Sequence, residues 1–288
     1  MKMEFVDEEE LETEEEEGER GKIVLIGEPA AVCGADGTFT DVQGGSFDTA
    51  VGLAEAGHPV LYCARVGKDA AGKFVLSKLK KAGVTAVGVM AANGVATKIS
   101  GKPGKPAVVP VPAMSRLDLY GCDFLHISGD FAAVSGSAFE ALRRLIARAK
   151  ALDIFVTFAP AYRAELWGSK KEAAERLNTL AQEADLAVLS VPEGKLLTGK
   201  ESAADIAAYY HGMGVDSVIV RIENEGAYWS CGEENGLLFE EAADSLMFDC
   251  GEERFVLGVV SAVADGLSLH EAAQRGAEYA AAKELKNN

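Results

Sequence analysis

Long apolar runs are missing from this 288-residue chain. No segment reaches the ~18 consecutive apolar residues of a membrane-spanning helix, so a membrane protein of that type is excluded. Positive charge is scarce: 28 Lys and Arg face 45 Asp and Glu, for a net charge of −17. Binding to nucleic-acid phosphates needs basic patches, so direct nucleic-acid binding is not expected. The five cysteines, Cys33, Cys63, Cys122, Cys231 and Cys250, are scattered, odd in number and without a C-x-x-C pair. That excludes a disulfide framework and reads as buried free thiols in a reducing compartment. The four histidines, His58, His126, His211 and His270, lack metal-ligand spacing, so no metal site is expected from them.

Acid is what the chain has in excess, and much of it is concentrated. Residues 1–20 hold eleven acids against Lys2 and Arg20. Such a segment buries too little apolar surface to offset its ordering entropy, so residues 1–20 read as a disordered acidic tail. An acidic opening is the reverse of a signal or transit peptide, and the expected location is the cytoplasm.

Residues 21–288 read as one α/β domain. Lys22 to Ile26 is a continuous apolar run ending at Gly27, the pattern of a buried parallel strand. Further strands are expected at 59–63, 124–127, 154–158, 186–189 and 217–222. Helices are expected at 48–56, 70–81, 137–151, 170–183, 203–212, 254–265 and 269–286. In the second of these Phe74, Leu76 and Leu79 are the candidate core positions, and Gly83 is the stop. Alternating strand and helix predicts a mainly parallel sheet covered on both faces. A small β lid is expected from about 32–42 and from a Gly- and Pro-rich hairpin at 94–113.

Five ordered segments carry a resemblance. Gly44-Gly45-Ser46-Phe47-Asp48 runs on through Leu53-Ala54 to Gly57, and Val66-Gly67-Lys68-Asp69 on to Gly72. Phe158-Ala159-Pro160-Ala161-Tyr162-Arg163 precedes Leu166-Trp167; Leu189-Ser190-Val191-Pro192-Glu193 precedes Leu197-Thr198-Gly199. The last is Asp249-Cys250-Gly251-Glu252-Glu253-Arg254-Phe255. In this order they resemble the ribokinase-like (PfkB) sugar kinases, nearest the 2-keto-3-deoxygluconate kinase and fructokinase branch, over nearly all of 22–285.

The resemblance implies a pocket for a sugar or sugar acid built from Gly44, Gly45, Asp48 and Arg163. It implies a nucleotide and phosphate region at Ser190, Glu193, Gly226, Gly251 and Glu252, served by magnesium-ATP if the protein is active. It also implies a homodimer through the lid. In the family the late segment reads Asp-Thr-x-Gly-Ala-Gly-Asp, whose glycines form an anion hole and whose last Asp is the base. Here one alignment puts Glu253 in place of that base; another keeps Asp249 as the motif's first Asp and deletes two residues. Both lose small residues of the anion hole and put glutamates in the first turn of the next helix. There they suit the helix dipole and oppose a triphosphate. Two readings follow: an impaired or inactive relative acting as a binding or partner subunit, and an active kinase with Glu253 or Asp249 as base.

Overall fold

The computed structural model describes residues 21–27, 29–34, 36–64, 66–87, 90–91, 97–99, 114, 117–223, 226–239 and 251–281. The acidic segment 1–20, Asp249, Cys250 and most of 94–113 lie outside them. Among the described residues one sheet of nine strands forms the centre. Its middle is β1 (Lys22–Gly27), flanked by β4 (Val60–Ala64) and β9 (Cys122–Ser128), both parallel to it. β6 (Thr85–Val87) adds outside β4. On the other side follow β10 (Phe155–Ala159), β11 (Leu186–Ser190) and β12 (Ser217–Ile222), all parallel. An antiparallel hairpin, β13 (Gly226–Cys231) and β14 (Glu234–Phe239), ends the sheet.

The sequence pattern explains this architecture. All residues of β1 after Lys22 are buried because both sheet faces are covered. Val24 and Ile26 enter the core on one face, and Ile23 and Leu25 the core on the other. The first face is covered by α3 (Gly136–Lys150), α4 (Lys170–Gln182), α5 (Val191–Thr198) and α6 (Ala203–Gly212). The second is covered by α1 (Gly45–Glu55), α2 (Ala70–Lys81), α7 (Gly251–Ala264) and α8 (Leu269–Ala281). Side-chain caps fix several helix starts: Asp69, Ser135, Ser169 and Ser202 each accept a backbone N–H from the first turn. No described helix is long and apolar enough to cross a membrane.

A second sheet stands beside the main one, with β2 (Ala30–Cys33) between antiparallel β3 (Phe39–Gln43) and parallel β8 (Thr97–Ile99). The described part of the expected 94–113 hairpin is therefore a third strand of this small β layer. β5 (Val66–Gly67) and β7 (Met90–Ala91) pair separately.

Several expectations need correction. α1 and α7 each begin three residues before the expected start; this brings Gly45 into a first turn, while Glu252 and Glu253 stand in the first turn of α7 as expected. α5 and the β13–β14 hairpin were not expected. α5 is short, and its start at Ser190 follows directly on a fully buried strand with no polar break between them. In α2 the buried face is Ala71, Gly72, Val75 and Leu79, while Phe74 and Leu76 flank it half-buried. The four described cysteines are unbridged, and Cys231 is exposed rather than buried.

Candidate sugar and phosphate site

The chain runs outward from β1 in both directions, first to β4 and later to β9, so the strand order reverses beside β1. In open α/β sheets a crevice opens at such a reversal, outside the carboxyl ends of the strands. A cavity of about 140 Å³ lies there. It is bounded by Gly45, Ser46 and Thr49 of α1, His126 and Ser128 of β9, the segment after β10, and the first turns of α7.

Gly44 caps α1 at φ 151°, a conformation that side-chain-bearing residues rarely adopt. At Gly45 the constraint is space: a Cβ there would meet Glu253 Oε1 at 2.7 Å. The two glycines thus let the first turn of α7 approach that of α1. Glu253 reaches over α1 and puts the same oxygen 3.7 Å from Arg163 Nη2. Arg163 also faces Asp130, with Nη2 3.8 Å from Oδ2. Asp130 is fixed in turn, because Ser128 Oγ donates to its Oδ1 at 2.8 Å.

Asp48 lies on the same rim. Desolvation, then the charges of Glu253 and Asp41, push its pKa up to about 7 against the opposing pull of Arg163. On the cavity floor His126 Nδ1 is 2.9 Å from Thr157 Oγ1. Complete burial lowers its pKa to about 4, so His126 is neutral near pH 7 and serves as a hydrogen-bonding floor.

The phosphate side is built around Glu193, which is buried in the first turn of α5. Its Oε2 accepts from the Ser190 N–H at 3.0 Å and from Ser190 Oγ at 3.1 Å. Its Oε1 accepts from the Tyr162 N–H at 3.0 Å. Ser190 and Glu193 form a reciprocal capping box, which satisfies amide donors of the helix internally. Ala161, just before Tyr162, sits at φ 44°, a left-handed conformation that costs a non-glycine residue energy. It directs the Tyr162 amide at Glu193.

Glu252 enters this region from α7. Taken over the whole residue it is exposed, yet its carboxyl packs beside Glu193, Ser190 and Arg221. Desolvation of that carboxyl, then the adjacent charge of Glu193, raise its pKa well above the usual carboxylate range. Gly226 starts β13 at the same sheet edge. The described residues contain no group of three or more His, Cys, Asp or Glu able to hold a metal ion. Among the described residues Glu193 and Glu252 are the neighbouring carboxyls that would meet a magnesium ion here. Two carboxylates are compatible with magnesium that keeps several waters.

Comparison with known proteins agrees with this architecture. The profile of the pfkB family carbohydrate kinases matches residues 34–243. The chain belongs to the PfkB family of carbohydrate kinases. A 2-dehydro-3-deoxygluconokinase of Bacillus subtilis (strain 168) is 31% identical over 252 residues, covering 82% of this chain and 78% of that protein. A PfkB protein from Polaromonas sp. JS666 superposes with TM-score 0.79 at 26% identity, covering 91% of this chain and 95% of the other. An aminoimidazole riboside kinase from Salmonella enterica, in complex with aminoimidazole riboside and an ATP analogue, shares the fold with TM-score 0.77 at 20% identity. That match covers 89% of this chain and 90% of the other. The ribokinase-like fold, a mainly parallel sheet flanked by helices, is therefore shown.

The structure gathers the sequence-derived candidates into two groups. Gly44, Gly45, Asp48, Arg163 and Glu253 form one; Ser190, Glu193, Glu252 and the nearby helix start at Gly251 form the other. Asp130, Ser128 and His126 were missed. Their signal was positional: each lies at or just beyond the carboxyl end of a strand next to the order reversal.

Proposed function

We propose that this PfkB-family protein binds a carbohydrate in the cleft and is weak or inactive in ATP-dependent phosphotransfer, acting as a binding or partner subunit. The observation that supports this is Glu252, a carboxyl packed beside Glu193 where the family pattern has an anion hole lined by small residues. Removing a single oxyanion donor typically costs on the order of 10²–10³ in rate. Here a side chain occupies the space as well. Its raised pKa also means that it obstructs as a bulky protonated acid over part of the neutral range, in addition to repelling as a charge.

Magnesium, when bound with a nucleotide, supplies neutralisation of phosphate charge. Glu193 would serve it only with acceptor capacity left over from three internal hydrogen bonds.

A second reading, an active kinase, is favoured by the placement of Glu253. Its carboxyl lies in the cleft beside Gly45 and Arg163, where it can accept a proton from a bound hydroxyl. Asp249, the other candidate base, lies outside the described residues. The named activity of the Bacillus relative makes 2-dehydro-3-deoxygluconate a first substrate to try. Homodimerisation through the small β layer is part of the proposal and is checked by sedimentation.

Calorimetric titration of magnesium-ATP onto the full chain tests the main reading. Weak or absent binding is expected, with at least a tenfold gain in Glu252→Gly. Rapid sugar-dependent ATP turnover by the unmodified chain, abolished by Glu253→Gln, would instead establish the active kinase.

A further inference from the structure

Resting on the reading of the cleft as a carbohydrate site, we propose that it takes uncharged sugars and discriminates against sugar acids, with Asp130 as the specificity-determining residue. The charge balance around Arg163 carries the argument. Arg163 is the only Lys or Arg among the described residues lining the cavity. A lone arginine in a small polar cavity would ordinarily suit a carboxylate ligand. Here its Nη2 already faces two carboxylates, Asp130 Oδ2 at 3.8 Å and Glu253 Oε1 at 3.7 Å.

Of these acids Asp130 cannot easily withdraw. Asp130 is tied through Oδ1 to Ser128, itself buried at the end of β9. Glu253 is half-exposed, with Oε1 over Gly45 and within reach of Arg163. A ligand carboxylate docking on Arg163 would therefore lie close to both. Coulomb energy falls only as the inverse of distance. Two repulsions from groups one contact further away thus offset much of the single attraction. The elevated pKa of Asp48 on the rim is consistent with this, since an acid already in the site resists ionisation next to Glu253 and Asp41.

Hydroxyl groups meet the opposite situation. A carboxylate is an acceptor, and a sugar hydroxyl is a donor that brings no charge. Glu253 lines the cavity, and Asp130 and Asp48 stand beside Arg163 and Glu253 at its edge, so a polyol meets acceptor-rich surroundings. The cavity is smaller than the roughly 300–1,000 Å³ typical of drug-sized ligands, which fits a small one.

The test is calorimetry on the full chain with D-fructose, D-gluconate and 2-dehydro-3-deoxygluconate as probes, each with and without magnesium-ATP. D-Fructose is expected to bind at least tenfold tighter than either acid. Asp130→Asn, which keeps shape and a hydrogen-bond acceptor for Ser128, is expected to reduce that discrimination at least tenfold, mainly by improving acid binding. Arg163→Gln provides an independent reading and should change acid affinity by less than about threefold. A wild-type preference for either acid, or a ratio unmoved by Asp130→Asn, overturns the proposal and leaves the carbohydrate site standing. Binding of none of the three probes by wild type or variants removes the carbohydrate-site reading and this proposal together.

Discussion

Two helices begin at the same cleft and treat their first-turn glutamates in opposite ways. In α5 Glu193 folds back on its own N-cap, accepts the Ser190 amide, and is buried. In α7 the first-turn acids reach away from their helix, Glu252 toward Glu193 and Glu253 toward Gly45 and Arg163. The same residue type at the same helical position is therefore structural in one case and exposed to ligand chemistry in the other. What separates them is whether the carboxylate turns back on its own N-cap. A helix N-terminus is a ready anion site only while its amides are unclaimed. α5 has claimed its own, so whatever capacity the cleft has for phosphate depends on α7.

Glu193→Ala should have the largest effect on that contrast. It removes the acceptor of the Ser190 and Tyr162 amides and of the Ser190 hydroxyl, and leaves buried donors unmatched. A loss of about 2–4 kcal/mol in urea unfolding is expected. A loss below about 1 kcal/mol would mean that the two glutamates are not different in kind.

Glu252→Gln comes next, and its effect depends on pH. The folded-state pKa of Glu252 is raised, so between its unfolded value and that raised value the native state holds the extra proton. Wild-type stability therefore falls as pH rises through that window. The variant should remove this fall, and Tm profiles of the two proteins should diverge with rising pH above about 5. Parallel profiles would show that the carboxyl is solvated after all.

A backbone change sharpens the comparison from the other side. Ala161→Gly relieves a left-handed conformation while leaving the Tyr162 amide aimed at Glu193. A gain of about 0.5–1 kcal/mol is expected, the relief being partly offset by glycine's greater chain entropy. Destabilisation would indicate that the alanine methyl packs more than its torsion costs.

The smallest effect is expected at Asp48. Its pKa of about 7 lies above the model-compound value of 3.8, so stability present below pH 4 is lost as pH rises toward 7. Asp48→Asn should recover on the order of 1 kcal/mol above pH 7 in thermal melts, because the residue is open to solvent and screening reduces the effect. Below pH 4 the two proteins should coincide.

Much of the fold was readable because its signals are local. The apolar run of β1 and the glycine stop at Gly83 act within a few residues, and the expected elements lie close to the observed ones. α5 escaped because its N-cap is the last residue of a buried strand, so burial masks the capping signal. The site was readable by residue and unreadable by pairing. The sequence pointed to Glu252, Glu253, Glu193 and Arg163, but not to which carboxyl would face which, since that depends on how α7 seats against α1. Ala161 is instructive: nothing in the local sequence announces its positive φ, which alanine rarely adopts.

The seating of α7 on α1 also sets an order of events. Gly45 comes early from the ribosome and Glu253 late, and neither neighbour of β1 needs the second to form its strand pairs. A chain shortened before α7 could retain many of the strand pairings and lack the wall of the cleft that carries Glu252 and Glu253. The cleft is completed only once α7 has been made, so a ligand that requires this wall distinguishes chains that include α7 from those interrupted before it.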